Sequence, residues 1–148
     1  MKQKITTFLT FNDQAEDAAR YYCETFENSK LLDISPGPGG KPMTVAFELE
    51  GQRYIALNGG PSFSFSSGFS LFVSVETQAE VDRLWARLTD GGKEDRCGWL
   101  VDRFGVSWQI IPTALMKGLS GPNAGAVAQA MFKMNKLDVA ELERAARG

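Results

Sequence analysis

The 148-residue chain contains no histidine. That removes the commonest general base and transition-metal ligand near neutral pH. Any proton transfer must fall to carboxylates, thiols, amines or hydroxyls. Glu48 alternates with Thr44 and Ala46 along one stretch. It is the best available general base if that face lines a pocket, and an ordinary solvated acid if it does not. Cys97 follows Arg96, so a nucleophile is one reading of it. The favoured reading is a packing cysteine ahead of Trp99. Cys23 sits inside a helical pattern and reads as structural. The stretch GPGGKP (37–42) has the glycines of a phosphate loop. It lacks a Ser or Thr after the lysine, the glycine spacing and a following helix, so it reads as a plain loop. These residues imply no transition metal and no cofactor.

The elements that must hold these groups are legible from periodicity. Residues 4–12 (KITTFLTFN) read as a strand. Asp13 and Glu16 approximate a capping box, and Ala15, Ala18, Ala19, Tyr22 and Phe26 recur at helical spacing. Residues 29–35 predict a short strand, and Pro36–Pro42 a loop. Residues 43–50 alternate around Val45, Phe47 and Leu49. Gly51-Gln52 turns the chain into a partner strand over 53–58. Residues 59–68 (GGPSFSFSSG) form a flexible connection. Its Phe63 and Phe65 read either as a pocket lid or as part of a dimer interface.

The pattern then repeats. Residues 69–76 predict a strand, Thr77 and Glu80 a capping box, and Val81, Leu84, Trp85 and Leu88 the apolar stripe of a helix ended by Gly91-Gly92. Residues 98–102 and 106–111 flank a tight turn and predict a hairpin. At an offset of 64, Phe8 falls on Phe72, Thr10 on Ser74, Thr6 on Ser70 and Tyr21 on Trp85. Any two strand–helix segments slide into partial register, but here the order of elements also repeats, which favours a duplication. Residues 113–148 read as a helical tail, apolar over 126–134 and with a last helix opened by Asp138 and Glu141. That tail must cover either the outer surface of a sheet or a second subunit.

The expected fold is therefore α+β: two tandem βαβββ modules, 1–62 and 63–112, whose curved mixed sheets form a cleft, followed by a helical extension, 113–148. One strand parity is uniformly apolar (Ile5, Leu9, Phe11; Leu71, Val73, Val75) and suits packing under helices. The other mixes aromatic and small polar groups, as ligand pockets do. It comprises Thr6, Phe8 and Thr10 on the first strand, Ser70, Phe72 and Ser74 on the fifth, and Ser107, Gln109 and Ile111 on the last. On the fourth strand the expected set is Tyr54, Ala56 and Asn58. Candidate ligand-binding residues are Phe8, Thr10, Asn58, Phe65, Ser70, Phe72, Cys97, Trp99 and Gln109.

Composition narrows the partners. A net charge of -2 with no Lys/Arg cluster argues against nucleic acid and anionic lipid. The first 14 residues lack the apolar stretch of a signal peptide, and no apolar run approaches the ~20 residues that span a bilayer. Two cysteines are too few for a disulfide framework. A cytoplasmic location is expected.

The strings FNDQAEDAARYYCETFENSK (11–30), LNGGPSFSF (57–65), SVETQAEVDRLWARL (74–88), CGWLVDRFGVSWQIIP (97–112) and AVAQAMFKMNKLDVAELERA (126–145) resemble the PhnB-like branch of the vicinal oxygen chelate superfamily. That superfamily includes glyoxalase I, extradiol dioxygenases and fosfomycin- and bleomycin-resistance proteins. The branch is often labelled demethylubiquinone 3-methyltransferase-like. The resemblance implies tandem βαβββ modules, a homodimer and a small-molecule cleft. It also implies metal ligands on the first, fourth, fifth and eighth strands. Those positions fall here on Thr6 or Phe8, Ala56 or Asn58, Ser70, and Gln109, of which only Gln109 is a ligand of the expected kind. A methyl-donor site would need a glycine-rich turn after the first strand, and none is present. The reading is a protein binding a small organic molecule in a metal-free cleft, or else an enzyme of the superfamily with an altered site.

Overall fold

Thr7–Phe11 forms β1, and its alternation buries Leu9 and Phe11 while Phe8 stays half exposed. The computed structural model describes residues 3–148. Met1 and Lys2, at the head of the first expected module, lie outside the described residues. The chain divides into two units at Ser64/Phe65.

In the first unit, α1 (Ala15–Thr25) follows β1, then β2 (Lys30–Pro36), β3 (Pro42–Leu49) and β4 (Gln52–Asn58) complete a sheet of order β1-β4-β3-β2. β1 and β4 are parallel, and the other pairs are antiparallel. Leu49 pairs with Gln52 across Glu50 and Gly51, both at positive φ (50° and 81°), as a two-residue type I′ turn requires. The helix lies on β3 and β4, and Ala15, Ala18, Ala19 and Tyr22 are buried with Val45, Phe47 and Ala56 of the sheet. Alanines on the helix let it lie close to the sheet. The Tyr22 and Phe47 rings meet at 6.3 Å, and Phe47 stacks on its cross-strand partner Tyr54 at 5.4 Å. Burial alone raises the Tyr54 phenol above its ordinary pKa.

The second unit repeats this order. It contains β5 (Leu71–Val75), α2 (Gln78–Thr89), β6 (Lys93–Glu94), β7 (Trp99–Val101) and β8 (Ser107–Pro112), in a sheet of order β5-β8-β7-β6. β5 and β8 are parallel. Thr77 Oγ1 accepts from the Glu80 N–H at 3.2 Å, forming the expected cap, and Val81, Leu84, Trp85 and Leu88 are all buried. β1 and β5 correspond at the offset of 64. Sequence periodicity missed β6, because a two-residue strand is too short to show alternation.

Two expectations need correction. Asp13 does not cap α1, which has Gln14 at its N-cap and no cap from its own turn. The Ala15 N–H donates instead to Asn58 Oδ1 at 2.8 Å, and Asn58 Nδ2 donates to the Pro42 carbonyl at 3.0 Å. Ile5 is 89% exposed and precedes β1, so it does not pack under a helix.

The tail forms α3 (Thr113–Leu119), α4 (Ala124–Phe132) and α5 (Val139–Arg147), and falls within the second unit. Leu115, Val127, Leu137 and Leu142 close a small core on Ile111 at the end of β8. The tail therefore covers a strand end, because its apolar residues converge on one side chain of β8. Among the described residues, no helix is long and apolar enough to cross a membrane.

Candidate functional site

Strand register decides which side chains share the face opposite each helix. In the second unit Phe72 pairs with Gln109, and Gln109 with Trp99. Directly paired residues project to the same face. Phe72, Gln109 and Trp99 thus form one row across three adjacent strands, away from the buried Trp108, Ile110 and Leu100. Phe72 is 51% exposed, and Trp99 and Gln109 are half-buried. Gln109 Nε2 donates to Ser70 Oγ at 3.0 Å. The result is a carboxamide between two aromatic rings, with one side of it tied to a hydroxyl.

Asp102, which the sequence reading passed over, fixes this row from below. It is only 3% exposed. Its Oδ1 accepts from the Phe104 and Val106 N–H groups at 2.8 and 3.0 Å, and its Oδ2 accepts from Trp108 Nε1 at 2.8 Å. Trp108 is held on the covered face, so Gln109 must project to the open one. The signal was the D-x-FG-x-SWQ string, in which an acid precedes a tight turn and a buried indole follows it.

In the first unit Phe8 pairs with Ile55, and Ile55 with Ala46. Its open face carries Phe8 and Thr10 with Ile55 and Leu57. The expected set on the fourth strand is therefore one residue out of phase. Ala56 pairs with Leu9 and Val45 and is fully buried. Asn58 pairs with Phe11 and spends both amide atoms on Ala15 and Pro42. Glu48 does share the open-face parity, in one row with Arg53 and Lys30.

The remaining candidates lie at edges. Phe65 is half-buried near the β7–β8 turn, where a Cβ on Gly105 would stand 3.7 Å from its ring. Phe63 lies beside Gly59, whose added Cβ would meet its ring at 3.0 Å and Thr10 Cγ2 at 2.5 Å. Cys97 has a left-handed backbone (φ 63°) just before β7. Cys23 is half-buried, and burial raises its thiol above the ordinary value, with Arg20 opposing the shift and Glu24 adding to it.

The implied metal does not fit this set. The first and eighth strands offer Phe8 and Gln109, the register partner on the fourth strand is Ile55, and Ser70 stands just before the fifth. Transition metals require imidazole, thiolate or carboxylate donors, and these positions supply one amide and one hydroxyl. Among the described residues, no cluster of three Cys, Asp or Glu stands ready to hold an ion.

The family model described as 3-demethylubiquinone-9 3-methyltransferase matches residues 3–111. The chain belongs to this PhnB-like family. A PhnB protein from Bacillus cereus is 32% identical, over 74% of this chain and 99% of that one, with a TM-score of 0.70. A protein from Pseudomonas aeruginosa is 21% identical over 75% and 98%, with a TM-score of 0.63. The fosfomycin resistance protein FosX from Listeria monocytogenes, solved with Mn(II) and 1S,2S-dihydroxypropylphosphonic acid, is 14% identical over 76% and 93%, with a TM-score of 0.56. The last two share the fold with the PhnB-like chain. No match is found among proteins of curated function. The family model stops at Ile111, so α3–α5 of the PhnB-like chain lie beyond it.

Proposed function

We propose that the chain binds a small aromatic or amphipathic organic molecule on the open face of its second unit, without a transition metal. The row Phe72–Gln109–Trp99 carries this reading. Two rings supply apolar area and stacking surface, and the Gln109 amide with the Ser70 hydroxyl orients one polar group of the ligand. Phe65 and Cys97 stand at the rim. Phe8 and Thr10 offer a similar surface on the first unit.

Titrating 4-hydroxybenzoate and related aromatic acids against tryptophan fluorescence tests this. The expected result is saturable quenching, with a dissociation constant raised about tenfold in Gln109→Ala, the loss of roughly one hydrogen bond. A flat response across such a set, with wild type and variant indistinguishable, refutes it.

A second reading is an enzyme of the superfamily with an altered site, favoured by Glu48 on the open face of the first unit. Gln109 would then hold an oxygen-rich ligand or cation on the open face of the second unit. Stoichiometric metal in the purified protein, lost in Gln109→Ala, would select it.

The methyltransferase activity in the family's description is not carried over. Each sheet is mixed and bears its helix on one side, and the β1–α1 connection Asn12–Gln14 has no glycine for a donor turn. The proposal includes a homodimer in the cytoplasm, with neither nucleic acid nor membrane as partner. Free Cys23 and Cys97 suit a reducing compartment. Light scattering reads the mass.

A further inference from the structure

The helical extension lies outside the family span, yet its chain bonds to the edge of the open face. Cys97 and Gly98 both hold positive φ, 63° and 84°. For a non-glycine residue that conformation is disfavoured unless its surroundings impose it. Here the Cys97 N–H donates to the Met134 carbonyl and the Gly98 N–H to the Asn135 carbonyl, both at 2.8 Å. The Gly98 carbonyl accepts from the Ile110 N–H at 2.8 Å. The dipeptide is thus bonded to the extension on one side and to β8 on the other. Trp99 follows it directly and faces Gln109 across the strands.

The extension is itself clamped. Gln78, in the first turn of α2, uses both ends of its amide on it. Oε1 accepts from the Val139 N–H at 2.7 Å, and Nε2 donates to the Leu137 carbonyl at 3.1 Å. Asp82, one turn on, pairs with Lys136 at 2.9 Å. Between these anchors Leu137 is fully buried, and a Cβ on Gly98 would stand 3.0 Å from its Cδ1.

We propose that residues 133–139 are a strap that positions the Cys97–Trp99 rim of the open face, with Gln78 as its clamp. This rests on the reading that the open face binds a ligand. Gln78 is a positioning residue, acting through the strap on Trp99. The strap holds two N–H groups that would otherwise turn to water, and so keeps Cys97 left-handed and Trp99 aimed beside Gln109. Loosening it moves one wall of the row without touching Phe72 or Ser70.

Hydrogen exchange on the full chain tests the coupling without any variant. The Cys97, Gly98 and Val139 amides are expected to open together, with protection agreeing within about threefold. In Gln78→Ala all three should exchange roughly thirtyfold faster, the weight of two ordinary hydrogen bonds, while Val106 in the hairpin turn keeps its protection. In a Cys23→Ser background, Gln78→Ala should raise the reaction rate of Cys97 with 5,5′-dithiobis(2-nitrobenzoate) by about the same factor. It should also raise the dissociation constant for 4-hydroxybenzoate with hairpin protection unchanged, which a purely global loss of stability would not do. Exchange of Cys97 and Gly98 that ignores Val139, or unchanged labelling in Gln78→Ala, overturns the strap. Absence of ligand binding by the wild type, with coordinated exchange intact, removes the ligand reading and leaves the strap as a brace of the rim alone.

Discussion

Replacing Asp102 with asparagine should destabilise the second unit by about 3 kcal/mol and disturb Gln109 from the opposite face of β8. Asn keeps an oxygen for the Phe104 and Val106 N–H groups, which Oδ1 now serves. Its Nδ2 then replaces Oδ2 and points a donor at Trp108 Nε1, which presently donates at 2.8 Å. A buried hydrogen bond to a charged acceptor contributes about 1.5–3 kcal/mol, and stranding the donor adds roughly 1–3. At about 2–4 °C per kcal/mol for a chain of this size, the midpoint should fall by roughly 6–12 °C. Urea unfolding followed by circular dichroism gives the free energy. Trp108→Phe supplies the control, because phenylalanine has no N–H to strand. In that background Asp102→Asn should cost about 1 kcal/mol or less, and the difference is the coupling energy. Equal costs in both backgrounds, or a loss below about 0.5 kcal/mol in the wild type, would show that the carboxylate–indole bond does not hold the hairpin.

Other outcomes follow from the same geometry. Asn58→Ala removes the cap on Ala15 and the tie to Pro42, and should cost about 1–2 kcal/mol by thermal unfolding, whereas Asp13→Ala should be near neutral. Gly92→Ala places a Cβ 2.2 Å from the Val101 carbonyl oxygen, so little folded protein should survive purification. Asp82 is held below its ordinary value, chiefly by the Gln78 hydrogen bond and then by Lys136. A depressed folded value means that its contribution is present above the ordinary carboxylate range near pH 4 and is lost as pH falls through the lower folded value. Val139 protection should therefore drop in that acid window, and Asp82→Asn should flatten the drop. Deleting residues 120–148 strips Val127, Leu137 and Leu142 from Ile111 and Leu115, and light scattering should report aggregation. A soluble truncation that unfolds cooperatively would contradict this.

The amino-acid sequence alone determined most of the strands and helices, though not the two-residue β6, and showed that their order repeats. Val45, Phe47 and Leu49 alternate, Val81, Leu84, Trp85 and Leu88 recur at helical spacing, and both patterns are properties of neighbouring residues. Phe72 and Gln109 could be placed on one face because each falls at the parity that mixes aromatic and polar residues, although Ser107 and Ile111 at that parity of β8 are buried. Tertiary structure alone decided the phase of β4. There both parities hold apolar residues, and the parallel pairing of Phe8 with Ile55 selected one of them. That choice turned Asn58 from a candidate ligand contact into the cap of α1. The Asp102–Trp108 bond, the Gln109–Ser70 pair and the grip of Gln78 on Val139 join side chains that the chain brings together only on folding. Hydrogen bonds of this kind leave no periodic trace, because each partner satisfies a geometry set by residues far away in sequence.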